Sequence, residues 1–115
     1  MKRGEIRVVD FEPVRGSEVN KRRPAVIVSN DGANSTAQRL GRGVITVVPV
    51  TSNVANVYPF QVLLPSALTG LRVDSKAQAE QVRSVAVERV GDRVGQLPAE
   101  TADALDEALR LHLAL

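Results

Sequence analysis

Cysteine is absent from this 115-residue chain, tryptophan is absent, and histidine occurs once, as His112. Without cysteine there can be no disulfide, no thiolate chemistry and no cysteine-built zinc site, and a reducing cytoplasm is the expected setting. A single histidine excludes a histidine-based metal cluster, and its place near the end of the chain argues against a catalytic triad. Aromatic residues are confined to Tyr58, Phe11 and Phe60, so the core has to be aliphatic, drawn from the Val, Leu, Ile and Ala that dominate an apolar content of 43%. No run of about 18 uninterrupted apolar residues is available to cross a bilayer. The opening "MKRGEIRVVDFEP" lacks the apolar stretch of a secretory leader. Gly-rich phosphate loops and nucleophile elbows are also missing. What remains is one expected domain, residues 1–115, long enough to bury a core of its own.

Charge is present but unevenly spread. The net value is only +2. Residues 1–42 nevertheless carry Lys2, Arg3, Arg7, Arg15, Lys21, Arg22, Arg23, Arg39 and Arg42 against Glu5, Asp10, Glu12, Glu18 and Asp31. The last stretch, from Ala99, reverses the sign with Glu100, Asp103, Asp106 and Glu107 against Arg110. A basic front and an acidic tail point to a surface that meets anions.

The apolar pattern reads mainly as short strands. "GEIRVVDF", from Gly4, is rich in β-branched residues. "EPVRGSEVNKRR" follows with loop chemistry of a length that is usually functional or mobile. "PAVIVSN", from Pro24, is a continuous apolar run that fits a strand buried on both faces, with its proline at the start, where a missing N–H costs least. "GANSTAQRLGR" has room for one or two helical turns stopped by Gly41. "GVITVVPVTSN" is the strongest strand signal, and Pro49 within it predicts a bulge or an edge. "PFQVLLP" is a further strand, followed by a turn region through Gly70. "SKAQAEQVRSV" favours helix by propensity, although Ala77, Ala79 and Gln81 alternate as in a strand. "ERVGDRVGQLP" reads as a turn into a short strand. Pro98 opens a helix whose Ala102, Leu105, Leu109 and Leu113 recur at spacings of three and four, with acids early and Arg110 and His112 late, as the helix dipole favours. Five or six strands and one closing helix make an α+β fold around a small, strongly bent sheet or barrel.

Individual residues admit plain readings. Arg23 precedes a proline, so its backbone is held extended and its side chain leaves from a fixed place; alone it could be a cation that discourages edge pairing. Lys21 and Arg22 read as solvated charges able to attract phosphate, Thr51 and Ser52 as turn formers, and Glu18 as a solvated loop acid. Asp10 reads as a half-buried carboxylate bonded to backbone, and His112 as a capping or packing residue. Glu80 and Arg83 would pair on a helix or part on a strand.

Together, "RGEIRVVDFEPVRGSE", "KRRPAVIVSN", "VVPVTSN" and "AEQVRSV" resemble the MazF/PemK family of toxin endoribonucleases, in the same order and spacing over nearly the whole chain. The resemblance implies an SH3-like (CcdB/PemK-like) β-barrel with a C-terminal helix, a homodimer, metal-independent and sequence-specific cleavage of single-stranded RNA, and neutralisation by a MazE-like antitoxin. It makes Ser75 to Val85 largely a strand, against local propensity. The family's catalytic Arg falls on Arg23 and its catalytic Thr on Thr51, with Ser52 as a hydroxyl neighbour. Ser17 and Glu18 match the "GSE" of its substrate loop. Arg7 stands where many members carry an aromatic residue.

The chemistry agrees with such residues. RNA supplies its own nucleophile, the 2′-OH, and the enzyme has to align it, help its proton leave and stabilise charge on the phosphorane. A planar guanidinium grips phosphate oxygens in pairs, and a threonine hydroxyl adds a further donor. No cofactor or metal is called for. Two other classes fit a barrel of this kind: a non-catalytic toxin that binds a protein target such as a topoisomerase, and a nucleic-acid-binding module without activity.

Overall fold

The computed structural model describes residues 1–11 and 22–115; the substrate-loop candidates Ser17 and Glu18, and Lys21, lie outside them. In chain order the elements are β1 (Glu5–Asp10), β2 (Arg22–Ile27), α1 (Asp31–Leu40), β3 (Val44–Thr51), β4 (Gln61–Leu64), α2 (Ser66–Thr69), β5 (Ser75–Gln78), β6 (Arg83–Ala86), β7 (Val90–Gln96) and α3 (Ala99–Leu113). The described residues thus hold seven strands where five or six are expected. All pair antiparallel in one sheet of order β4-β5-β3-β2-β1-β7, and β6 also pairs with β3. The strand-rich α+β architecture with a closing helix is the one the sequence called for.

The sheet has a core on each face because successive side chains of a strand point in opposite directions. Ile6, Val26, Val28, Val48 and Val50 pack with Leu105, Ala108 and Leu109 of α3. Val9, Ala25, Ile27, Ile45, Val47 and Val85 pack on the other side with Ala37 of α1. "PAVIVSN" is therefore buried on both faces, as read, and each of its fully buried Val and Ile side chains contributes on the order of 1.5–3 kcal/mol.

α1 is longer than the one or two turns expected, and its ends show why it persists. The Asn30 side chain accepts the Ala33 N–H at 2.8 Å as an N-cap. Gly41, at φ 66°, closes the helix. Fully buried Asn34 donates from Nδ2 to the Ser29 carbonyl at 2.8 Å, and Ser29 Oγ accepts the Thr46 N–H at 3.1 Å. These bonds join the end of β2, α1 and β3 with no buried polar group left over at the junction.

Several local expectations are corrected. Pro49 neither bulges nor ends β3, which runs through it to Thr51. It sits where the neighbour on one side of β3 changes, from β6 (Val47↔Arg83) to β5 (Val50↔Ala77), so the break falls in the partners. Ser75 to Val85 is two strands joined by a 3₁₀ turn at Ala79–Gln81, largely strand as the resemblance implies and not the helix of local propensity. Glu80 and Arg83 part, as expected of the extended alternative: Glu80 Oε2 accepts from Gln61 Nε2 at 2.6 Å, while the Arg83 guanidinium lies 5.4 Å from the Phe11 ring centre. The Asp10 carboxylate makes no backbone bond among the described residues, its Oδ1 being buried without a partner. His112 is exposed in the last turn of α3, so it is not a packing residue, and of the two readings only that at the basic helix end stays open.

Candidate active site

The two strands that meet in the middle of the sheet part company at one end. β2 and β3 are in register from Ile27↔Val47 through Val26↔Val48 to Ala25↔Pro49, and there the ladder stops. The Val28 N–H donates to the Thr46 carbonyl at 2.9 Å, so alternate residues of β2 face β3: Val28, Val26, and then position 24. Pro24 has no N–H to offer. β2 stays fixed on its other side through Val8↔Pro24 and Val9↔Arg23, while β3 continues against β5 with Val50↔Ala77 and Thr51↔Lys76. Continuing the β2–β3 register past the last pair would bring Arg23 level with Thr51.

The opening so formed is a cavity of about 710 Å³ bordered by Arg23, Pro24, Val50, Thr51 and Ser52, and also by Leu71, Arg72, Val73, Ser75 and Val94. Arg23 is exposed, Thr51 half-buried and Ser52 exposed. No carboxylate is among the described residues that border the cavity. Thr51 Oγ1 accepts the Asn53 N–H at 3.3 Å, which engages a lone pair and leaves the hydroxyl proton free to donate to an oxygen in the cavity. The cavity thus combines a guanidinium fork, hydroxyl donors and apolar walls, an arrangement fitted to a phosphate group that accumulates charge. Among the described residues, no group of three or more His, Cys, Asp or Glu side chains could hold a metal ion.

Of the residues singled out from sequence, Arg23, Thr51 and Ser52 are brought together. Arg22 is not: it heads β2 level with Asp10, exposed and away from the cavity wall. Two residues were missed. Arg72, in "GLRVD", was not singled out, yet it borders the cavity. Lys76, read only as a helix-favouring residue, is 7% exposed beside Thr51 in the ladder. Its Nζ donates to the Asn56 carbonyl at 2.6 Å and lies 5.8 Å from the Tyr58 ring centre, so it ties the segment after Thr51 onto the sheet. A lysine between small residues in a strand facing a hydroxyl-bearing strand end was the available signal.

Comparison with known proteins points the same way. Residues 2–113 match the model of the PemK-like, MazF-like toxins of type II toxin–antitoxin systems. The chain is 66% identical to Endoribonuclease MazF9 of Mycobacterium tuberculosis over 100% of its own length and 98% of that protein's. It is 31% identical to Endoribonuclease EndoA of Bacillus subtilis, covering 100% of this chain and 96% of the relative. Among solved structures, MazF in the MazE–MazF crystal structure from Deinococcus radiodurans superposes with a TM-score of 0.79 at 28% identity, over 100% of this chain and 96% of the other.

Proposed function

This chain belongs to the PemK-like, MazF-like toxins of type II toxin–antitoxin systems, and we infer from that premise how its cavity acts on RNA. It is an endoribonuclease, as its relatives MazF9 and EndoA are by name. Residues 1–115 act as a single toxin domain, a homodimer in the cytoplasm that cuts single-stranded RNA at short sequences without a metal ion and so arrests translation and growth. A MazE-like antitoxin neutralises it, a reading supported by the MazE–MazF structure of a relative. No helix among the described residues is long and apolar enough to cross a membrane.

The observation that carries the mechanism is that Arg23 and Thr51 border one cavity free of carboxylates among the described residues. In the proposed step the 2′-oxygen forms a bond to the adjacent phosphorus and the bond from phosphorus to the 5′-oxygen breaks. The products are a 2′,3′-cyclic phosphate and a 5′-hydroxyl. Arg23 holds the non-bridging oxygens as they gain charge, and Thr51, with Ser52 beside it, donates a further hydrogen bond. The role assigned to Arg23 is charge stabilisation by its planar guanidinium. The 2′-proton passes to Glu18, to a substrate phosphate oxygen or to water, and the leaving 5′-oxygen gains a proton in turn. Ser17, Glu18, Lys21 and Arg22 contribute to RNA binding, the two cations by attracting the backbone.

Incubating the pure protein with a long RNA tests this reading. Cleavage should survive EDTA, yield cyclic phosphate ends and stop when the scissile nucleotide is 2′-deoxy. Efficient cutting of DNA or strict dependence on magnesium would refute the mechanism, and intact RNA under all conditions would favour a non-catalytic toxin.

A further inference from the structure

The connection from α2 to β5 borders the same cavity as Arg23, and its shape follows from three residues. Gly70 adopts a left-handed φ of 84° and donates its N–H to the Ser66 carbonyl, turning the chain sharply after α2. Leu71 then enters the core at 9% exposure. Arg72 emerges from that anchor at the cavity, exposed. The carboxylate of the same connection, Asp74, is committed elsewhere, its Oδ1 accepting the Ser66 N–H at 2.8 Å, and it does not border the cavity. Two arginines carried by unrelated elements therefore border one open space. Like charges around an apolar-walled cavity repel each other, and an occupant with two adjacent negative groups relieves that repulsion.

We propose that Arg72 forms a second phosphate subsite, gripping the RNA backbone phosphate next to the one held by Arg23. The subsite rests on the reading of the cavity as the RNA-cleaving site. A planar guanidinium holds a phosphate in two-pronged fashion, and two such grips on successive phosphates fix how far the strand advances past Thr51. Arg23 then acts on the reacting phosphate, while Arg72 binds ground state and transition state alike, so the two separate kinetically.

The test uses the intact protein and a short RNA cut at one bond. Arg72→Ala should raise KM about tenfold, the low end for a lost charge-assisted hydrogen bond at an exposed site, and leave kcat and the melting temperature near wild type. The slope of log KM against log salt should fall by about one, and Arg72→Lys should restore the slope and part of the affinity. A neutral methylphosphonate at the flanking phosphate should weaken wild-type binding by a similar factor and cost Arg72→Ala nothing more. Unchanged KM and salt slope in Arg72→Ala would overturn the proposal. So would a loss confined to RNAs with guanine at one position, since an arginine can also read a guanine edge. Failure of the wild type to bind or cut RNA would refute the functional reading itself, whereas cleavage indifferent to Arg72 refutes only the subsite.

Discussion

The two ends of the β2–β3 pair are built from the same strands and do opposite things. At the inner end, Ala25, Val26 and Ile27 face Val47, Val48 and Pro49 in unbroken register, and all the aliphatic side chains there are buried, alternately in one core and the other. At the outer end, Arg23 and Pro24 stand apart from Val50 and Thr51 across a cavity. A single missing N–H at Pro24 divides them. On the proposed function, stability is concentrated at one end and chemistry at the other; where the two strands part, β2 keeps β1 as its neighbour and β3 keeps β5, so each strand stays anchored at the outer end.

That division can be broken from the inner end first. Ile27→Ala removes a fully buried side chain and should cost about 2–5 kcal/mol. The expected result is a large fall in melting temperature with near wild-type turnover for whatever fraction stays folded. A smaller effect is expected where the two functions touch. A Cβ at Gly95 would come within 2.5 Å of the Thr69 carbonyl oxygen, and Thr69 and Gly95 adjoin Gly70 and Val94 on the cavity border. Gly95→Ala should therefore cost about 1–3 kcal/mol as an overpacked contact and also raise KM, because α2 and the cavity wall must shift together. A stability loss with unchanged KM would show the wall to be independent of β7.

The smallest effect lies at Glu5, a residue at the start of β1 that does not border the cavity. Burial raises the Glu5 pKa, but the Arg7 guanidinium at 2.9 Å, a backbone hydrogen bond at Lys2 and the chain's amino terminus outweigh it, so the net shift is downward. A depressed carboxylate pKa favours the folded state above the ordinary glutamate value of about 4.3. That contribution should fade as pH falls through the lower folded-state value. Melting curves of Glu5→Gln against wild type should differ at neutral pH and converge in acid. Divergence in acid would contradict the assigned sign.

How much of this was legible follows from what each signal depends on. β1, β2 and β3 announce themselves because β-branched runs bury both faces of a strand wherever they are placed. Ser75 to Val85 does not: Ala77 is a strand residue because Val50 and Val62 lie on either side of it, and those partners are distant in sequence. Pro49 misled for the same reason, since the ladder it seemed to break is interrupted by a change of neighbours that only topology reveals. Arg23 and Thr51 were found through a family pattern, and their order in the chain says nothing of the splayed ladder that unites them. Arg72 had no local mark at all. Its role depends on Gly70 and Leu71 turning it toward a cavity whose other wall begins about fifty residues earlier.

The most direct test of this account is a double-mutant cycle on Arg23→Ala and Thr51→Ala, with cleavage rate and melting temperature measured on the same samples. Each single change should lower the rate about 100- to 1,000-fold, the usual loss for a preorganised charge-stabilising donor, with no significant change in melting temperature. On the proposed mechanism both groups act on one phosphate, so the double variant should be far less impaired than the product of the two losses predicts. Wild-type turnover in Arg23→Ala, or rate losses that track a falling melting temperature, would contradict the separation of chemistry from stability along this pair of strands.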